Sequence, residues 1–174
     1  MNIETNIAVP HKHFVSMVFD EYQFSINKLS FGHEITHLLS YFWDKQLFHL
    51  EFLEEGLAVY LDQSESDKHL DFLNKLHSRI DNGYIDLSLN IEYVKRATDY
   101  VKAGSFVKYL IESYGIKKFK KLYLRSVVEL RNDIYVINGK RLPKNYLKIL
   151  LKECYGENPT SIQRKWLENV GIIL

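Results

Sequence analysis

From His13 to Phe24 the chain carries Phe14, Val15, Met17, Val18, Phe19, Tyr22 and Phe24, a β-branched and aromatic run that predicts one or two strands. From about Ser25 to Asp44 the period becomes helical. Phe31, Ile35, Leu38, Leu39 and Phe42 form one apolar stripe, and His33 and His37 fall on the opposite side, turned to a polar cleft or solvent. A second helix is predicted from Glu51 to about Gln63. Glu51, Glu55, Ala58 and Asp62 share one edge with Glu54 beside them, while Phe52, Leu53, Gly56, Leu57 and Tyr60 cover the other side. Helices joined by so short a connection pack antiparallel, which brings a glutamate of the second toward the histidines of the first.

Further on, residues 67–80 predict another amphipathic helix, ended by Asp81-Asn82-Gly83, and residues 84–92 show no clear period. A long helix runs from Tyr93 or Ala97 to Tyr114, where Gly115 stops it, with a stripe of Tyr100, Ala103, Val107, Leu110 and Tyr114. Gly104 and Ser105 in its middle cost helix stability, which implies close approach to a neighbour. Ile116 to about Val128 is helical with Phe119, Leu122 and Tyr123 inward. Ile134-Tyr135-Val136-Ile137 followed by Asn138-Gly139 signals a hairpin. A helix from about Lys144 to Tyr155 stops at Gly156, and Thr160 is placed to cap a last helix reaching Val170, anchored by Trp166. The expected fold class is α+β, mostly helical, as a single domain over 1–174: a strand region and two site helices within 1–92, then a helical part over 93–174.

Composition changes this picture little. With 46% hydrophobic and 26% charged residues the chain is an ordinary globular one. Lys+Arg 23 against Asp+Glu 22 gives no reason to expect a nucleic-acid partner, so Lys117, Lys118, Lys120 and Lys121 read as a solvated helix face. Cys154 is the only cysteine and cannot form an internal disulfide, which fits a reducing compartment. No signal peptide and no long apolar run is visible, so a cytoplasmic chain without a membrane partner is the default expectation, with a secreted fragment left open. Nothing in the pattern speaks to oligomeric state.

The candidate chemistry lies in His33-Glu34-Ile35-Thr36-His37, an HExxH pentapeptide. Positions four apart stack on one helix face, so both imidazoles can address a single ion, and Glu34 stands beside that ion without binding it. A zinc hydrolase needs this arrangement: two ligands and a carboxylate that takes a proton from zinc-activated water. The acidic edge of the next helix offers a third ligand, and the helical wheel does not choose between Glu54 and Glu55. His11 and His13 would share a strand face but lack a third ligand type nearby, and His69 and His77 read as incidental.

Three separated segments together resemble the gluzincin metallopeptidases, the group of thermolysin and the aminopeptidase N-like enzymes. The first is the HExxH itself. The second, Leu53 to Asp62, resembles the group's Asn-Glu-Gly-Phe-Ala-x-Tyr-x-Glu segment, and seventeen residues separate His37 from Glu55. The third, Tyr100-Val101-Lys102-Ala103-Gly104-Ser105-Phe106-Val107, is similar to Tyr-x-Lys-Gly-Ala-x-Val with Gly and Ala exchanged. The tail from Tyr155-Gly156 to Trp166 resembles that of small bacterial peptidase MA-like proteins.

The resemblance implies a zincin-like domain holding Zn2+ through His33, His37 and Glu55, with Glu34 as general base and Tyr100 donating to the oxyanion. It implies hydrolysis of a peptide or protein substrate, laid along the strand near residues 14–19. Two departures stand out. The Gly-x-Met-Glu-Asn segment that grips a substrate amino terminus is missing, so exopeptidase action does not transfer. Position 59 is Val where thermolysin-like enzymes carry an Asp that orients a ligand histidine, which leaves Asp62 or Glu51 as candidates for that contact. The rival readings are a non-catalytic zinc-binding module and a helical protein-interaction domain.

Overall fold

A computed structural model describes residues 31–44, 48–62, 89, 97–131 and 134–172. The predicted strands of 13–24, the helix of 67–80 and the four histidines at 11, 13, 69 and 77 lie outside the described residues. Among the described residues the chain is mostly helical with one small sheet, in agreement with the α+β expectation. The order is α1 (Phe31–Ser40), α2 (Glu51–Leu61), α3 (Ala97–Tyr114), α4 (Ile116–Arg125), β1 (Glu129–Arg131), β2 (Ile134–Ile137), β3 (Lys140–Arg141), α5 (Tyr146–Tyr155) and α6 (Pro159–Asn169). No described helix is long and apolar enough to cross a membrane.

The centre of the fold is the pair α2 and α3, which approach closely because each presents a glycine to the other. A Cβ on Gly56 would lie 2.7 Å from the Ala103 carbonyl oxygen, and one on Gly104 would lie 2.5 Å from Val59 Cγ1. The cost of glycine within a helix is thus offset by backbone contact, as the position of Gly104 leads one to expect. Around this pair Phe52, Leu53, Leu57, Ala103, Phe106, Val107 and Leu110 are fully buried, joined by Phe119, Leu122 and Tyr123 of α4, Leu150 and Leu151 of α5, and Trp166 of α6. The Trp166 ring meets Phe106 edge-on at 5.2 Å, and its indole N–H donates to Ser105 Oγ at 3.0 Å, so the burial leaves no unpaired donor on the ring.

Turn chemistry sets the boundaries. Gly115, at φ +86°, ends α3 with its N–H on the Ile111 carbonyl and opens α4 by accepting from Lys118. Asn138 and Gly139, at φ +51° and +72°, make the two-residue hairpin turn between β2 and β3, and β1 pairs antiparallel with β2 to complete the order β1-β2-β3.

Two boundaries and one buried face differ from expectation. Helix α4 stops at Arg125 instead of running to Val128, because Ser126 Oγ donates to the Tyr123 carbonyl at 2.7 Å and the backbone beyond turns to strand-like pairing. There His49 bridges Val127, Leu50 N–H donates to Ser126, and Val128 N–H donates to Phe48. Helix α6 is capped by Asn158, whose side chain accepts from Thr160 N–H at 2.9 Å, with Pro159 in the first turn, so Thr160 lies inside the helix. The stripe of α1 is the third. Leu39 is 56% and Phe42 71% exposed, whereas Glu34, Thr36 and Ser40 of the polar face are buried. Most polar groups of that face have partners that offset their burial, with Thr36 Oγ1 on the Gly32 carbonyl, Ser40 Oγ on the His37 carbonyl, and the imidazoles beside α2 carboxylates; among the described residues Glu34 is the exception.

Candidate metal centre

Helices α1 and α2 run antiparallel, as the short connection predicts. A Cβ on Gly32, at the start of α1, would lie 2.7 Å from Asp62 Oδ1 at the end of α2, while His37 near the end of α1 meets Glu54 at the start of α2. Between these ends the predicted residues converge. His33 Nε2 lies 3.1 Å from Glu55 Oε2, His37 Nε2 lies 3.6 Å from the same oxygen, and the two Nε2 atoms stand 3.1 Å apart. One donor atom each from His33, His37 and Glu55 falls within 4.8 Å of the others, and these three form the one such group among the described residues that could hold a metal ion. Two imidazole nitrogens and a carboxylate oxygen are a donor set that suits zinc.

The charges agree with a cation site. Burial disfavours a charged His37, yet interactions with Glu54 and Glu55 outweigh it and raise its pKa to about 10. Burial raises the Glu55 carboxyl, but the imidazoles of His33 and His37 pull it down to about 2. Carboxylates that hold a proton so firmly on an imidazole present the negative field a metal cation also seeks.

Glu34 is 5% exposed, and its Oε2 is buried without a hydrogen-bond partner among the described residues. Burial raises its pKa, His33 and His37 oppose that, and Glu55 and Asp62 add to it. A buried carboxylate oxygen with no partner is costly unless a proton or a further group meets it.

Tyr100, from the first turn of α3, is half-buried with its ring centred 6.3 Å from that of His33. Its pKa is raised by burial and then by Glu55, Glu51 and Glu34, so the phenol keeps its proton at neutral pH and remains a donor.

Every residue singled out from the sequence, His33, Glu34, His37, Glu55 and Tyr100, therefore lies in one neighbourhood. Of the two glutamates the wheel left level, it is Glu55 that faces both Nε2 atoms. Glu54 faces the other ring nitrogen of His37, its Oε1 being 3.7 Å from Nδ1. Asp62 lies against Gly32, and Glu51 accepts from the Tyr135 hydroxyl at 3.4 Å. His49 escaped the sequence reading. It is 4% exposed, stacked 4.1 Å from the Tyr123 ring, and its Nδ1 bonds the Tyr123 carbonyl at 3.0 Å. No local pattern marks it, because its partner is 74 positions away.

Set against protein-family models, characterised proteins and solved structures, the chain matches none of them.

Proposed function

We propose that the protein is a zinc-dependent peptidase of gluzincin type and zincin-like architecture, acting on a peptide or protein substrate. The observation that carries this reading is the convergence of His33 Nε2, His37 Nε2 and Glu55 Oε2 in the neighbourhood of Glu34, whose buried Oε2 has no partner among the described residues. A structural metal site has no use for that extra carboxylate, whereas a hydrolytic one needs a base there.

His33, His37 and Glu55 would hold the ion, and zinc in that position supplies a nucleophile at neutral pH together with polarisation of a carbonyl. Glu34 receives the proton of the attacking water at its free oxygen, in a setting where burial has raised its proton affinity, and delivers it to the leaving amine. Tyr100 donates from its protonated phenol to the carbonyl oxygen as negative charge develops there. The choice of a peptide bond as substrate rests on the likeness of the three segments to gluzincins.

The test combines metal analysis with cleavage of a diverse peptide library. Native protein should carry one zinc and cleave. Glu55→Ala should lose the metal, and Glu34→Gln should keep the metal but lose most of the cleavage, by about 10²-fold or more. Native protein that takes up no zinc, or a Glu34→Gln variant as active as native, would refute the proposal.

A further inference from the structure

His37 is flanked on both sides by carboxylates of consecutive residues of one helix. Its Nε2 points toward His33 and Glu55, and its Nδ1 lies 3.7 Å from Glu54 Oε1. The two ring nitrogens of a neutral imidazole are not equivalent: a proton on one leaves the lone pair on the other. A carboxylate at Nδ1 keeps the proton there, turns the ring to face it, and makes Nε2 a better donor to a cation.

Glu54 and Glu55 differ by one residue, about 100° around the helix, so α2 can place one carboxylate at each nitrogen of the same ring. The residue one turn after Glu55 is Val59, and it is already committed, since its Cγ1 fills the notch over Gly104. The Glu54 side chain is 26% exposed, and its charge is felt at His49 and Tyr123 as well as at His37.

We infer that Glu54 is a positioning residue for the metal centre, fixing His37 as the Nδ1–H tautomer with Nε2 free to bind the ion. This rests on the proposed zinc site and adds to it a residue that binds neither metal nor substrate. Glu54 thereby takes over the orienting contact for which Asp62 and Glu51 are the sequence candidates.

The test measures zinc affinity by competition with a chelating dye for native protein, Glu54→Gln, Glu54→Ala and Glu51→Gln. Histidine ¹H–¹⁵N spectra of the zinc-loaded proteins are recorded alongside. Loss of a carboxylate partner to a ligand histidine lowers metal affinity by about 10–100-fold, so Glu54→Ala should fall near the upper figure and Glu54→Gln, which keeps an acceptor, near the lower. The hydrogen-bonded Nδ1 proton of His37 should be present in native protein and shifted or lost in Glu54→Ala. Glu51→Gln removes an equal charge from the same helix and should leave both readouts unchanged.

A helix-bridging ion pair alone would change unfolding stability and neither readout, so unchanged zinc affinity in both Glu54 variants overturns the inference while the zinc site stands. An equal loss in Glu51→Gln overturns it too, because the effect would then be that of net charge. Native protein without zinc overturns the proposed function and this inference with it. If Glu54→Ala fails to fold, the near-isosteric Glu54→Gln decides the matter by itself.

Discussion

Replacing Gly104 by Ala tests whether the α2–α3 contact holds Glu55 in place. The added methyl would sit 2.5 Å from Val59 Cγ1 and 3.0 Å from Val59 Cβ, where carbon atoms settle at about 3.5–4.0 Å. Val59 has little rotamer freedom within a helix, so the strain passes to the separation of the two helices. Overpacking of this kind costs about 1–3 kcal/mol, and alanine recovers about 1 kcal/mol of helix propensity. The net expectation is a loss of up to about 2 kcal/mol, read as a lower urea midpoint at unchanged slope.

The decisive arm is the same substitution in a Val59→Ala background, where the 2.5 Å contact with Cγ1 is gone and only the 3.0 Å contact with Cβ remains. There Gly104→Ala should cost clearly less than in the native background, a coupling of about 0.5–2 kcal/mol between the two positions. Gly56→Ala provides the contrast. Its nearest obstacles are the Ala103 carbonyl oxygen and Val107 Cγ2, both at 2.7 Å, and trimming Val107 cannot remove a backbone atom. Because Glu55 precedes Gly56, Gly104→Ala alone should also weaken zinc binding, and the double variant should restore it. Equal stability costs for Gly104→Ala in the two backgrounds would refute the reasoning.

Two more outcomes follow from buried polar groups. Ser105→Ala removes the acceptor of the Trp166 indole N–H in the core and should cost about 1–3 kcal/mol in equilibrium unfolding, whereas a change within experimental error would show that the bond contributes nothing. His49 has its pKa lowered from 6.5, chiefly by burial, against the opposing pull of Glu54, the Tyr123 carbonyl and Asp44. The unfolded chain therefore binds this proton more readily than the folded one, so the contribution of His49 is present above pH 6.5 and is lost as the pH falls below it. Unfolding of chelator-treated protein at several pH values should show this acid loss in native protein and a smaller one in His49→Gln, and identical profiles would contradict the assignment.

Local chemistry was the legible part of the chain. Asn138-Gly139 announced its hairpin, and Gly115 and Gly156 announced their helix ends, because φ > 0 is a property of a residue and its immediate neighbours. The inward face of α4, Phe119, Leu122 and Tyr123, was equally readable from its period. Periodicity misled at α1, where it counts apolar residues and cannot count partners. His33, His37, Thr36 and Ser40 pack inward because carboxylates and carbonyls meet them, and those groups come partly from another helix.

For the same reason spacing alone gave His33 and His37 but left Glu54 and Glu55 undivided. Choosing between them needs the rotation of α2 about its axis, which is set by its bed on α3, more than forty residues further on. Phe106 stayed outside the predicted stripe because α3 is covered on more than one side, with Phe52 and Trp166 both against its ring.

The short pairing of residues 48–50 with 126–128 bears on the order in which the molecule is assembled. The three clustered donors all come from residues 33–55, and a chain growing from its amino terminus holds them early. Among the described residues, the helix that carries Glu55 has no side-chain cap at its start. It is set there by Leu50 donating to Ser126 and by Phe48 accepting from Val128, and further along by the glycine contacts with α3. The placement of Glu55 thus draws on segments far along the chain, and it carries the loop-closure cost of the long stretch between them.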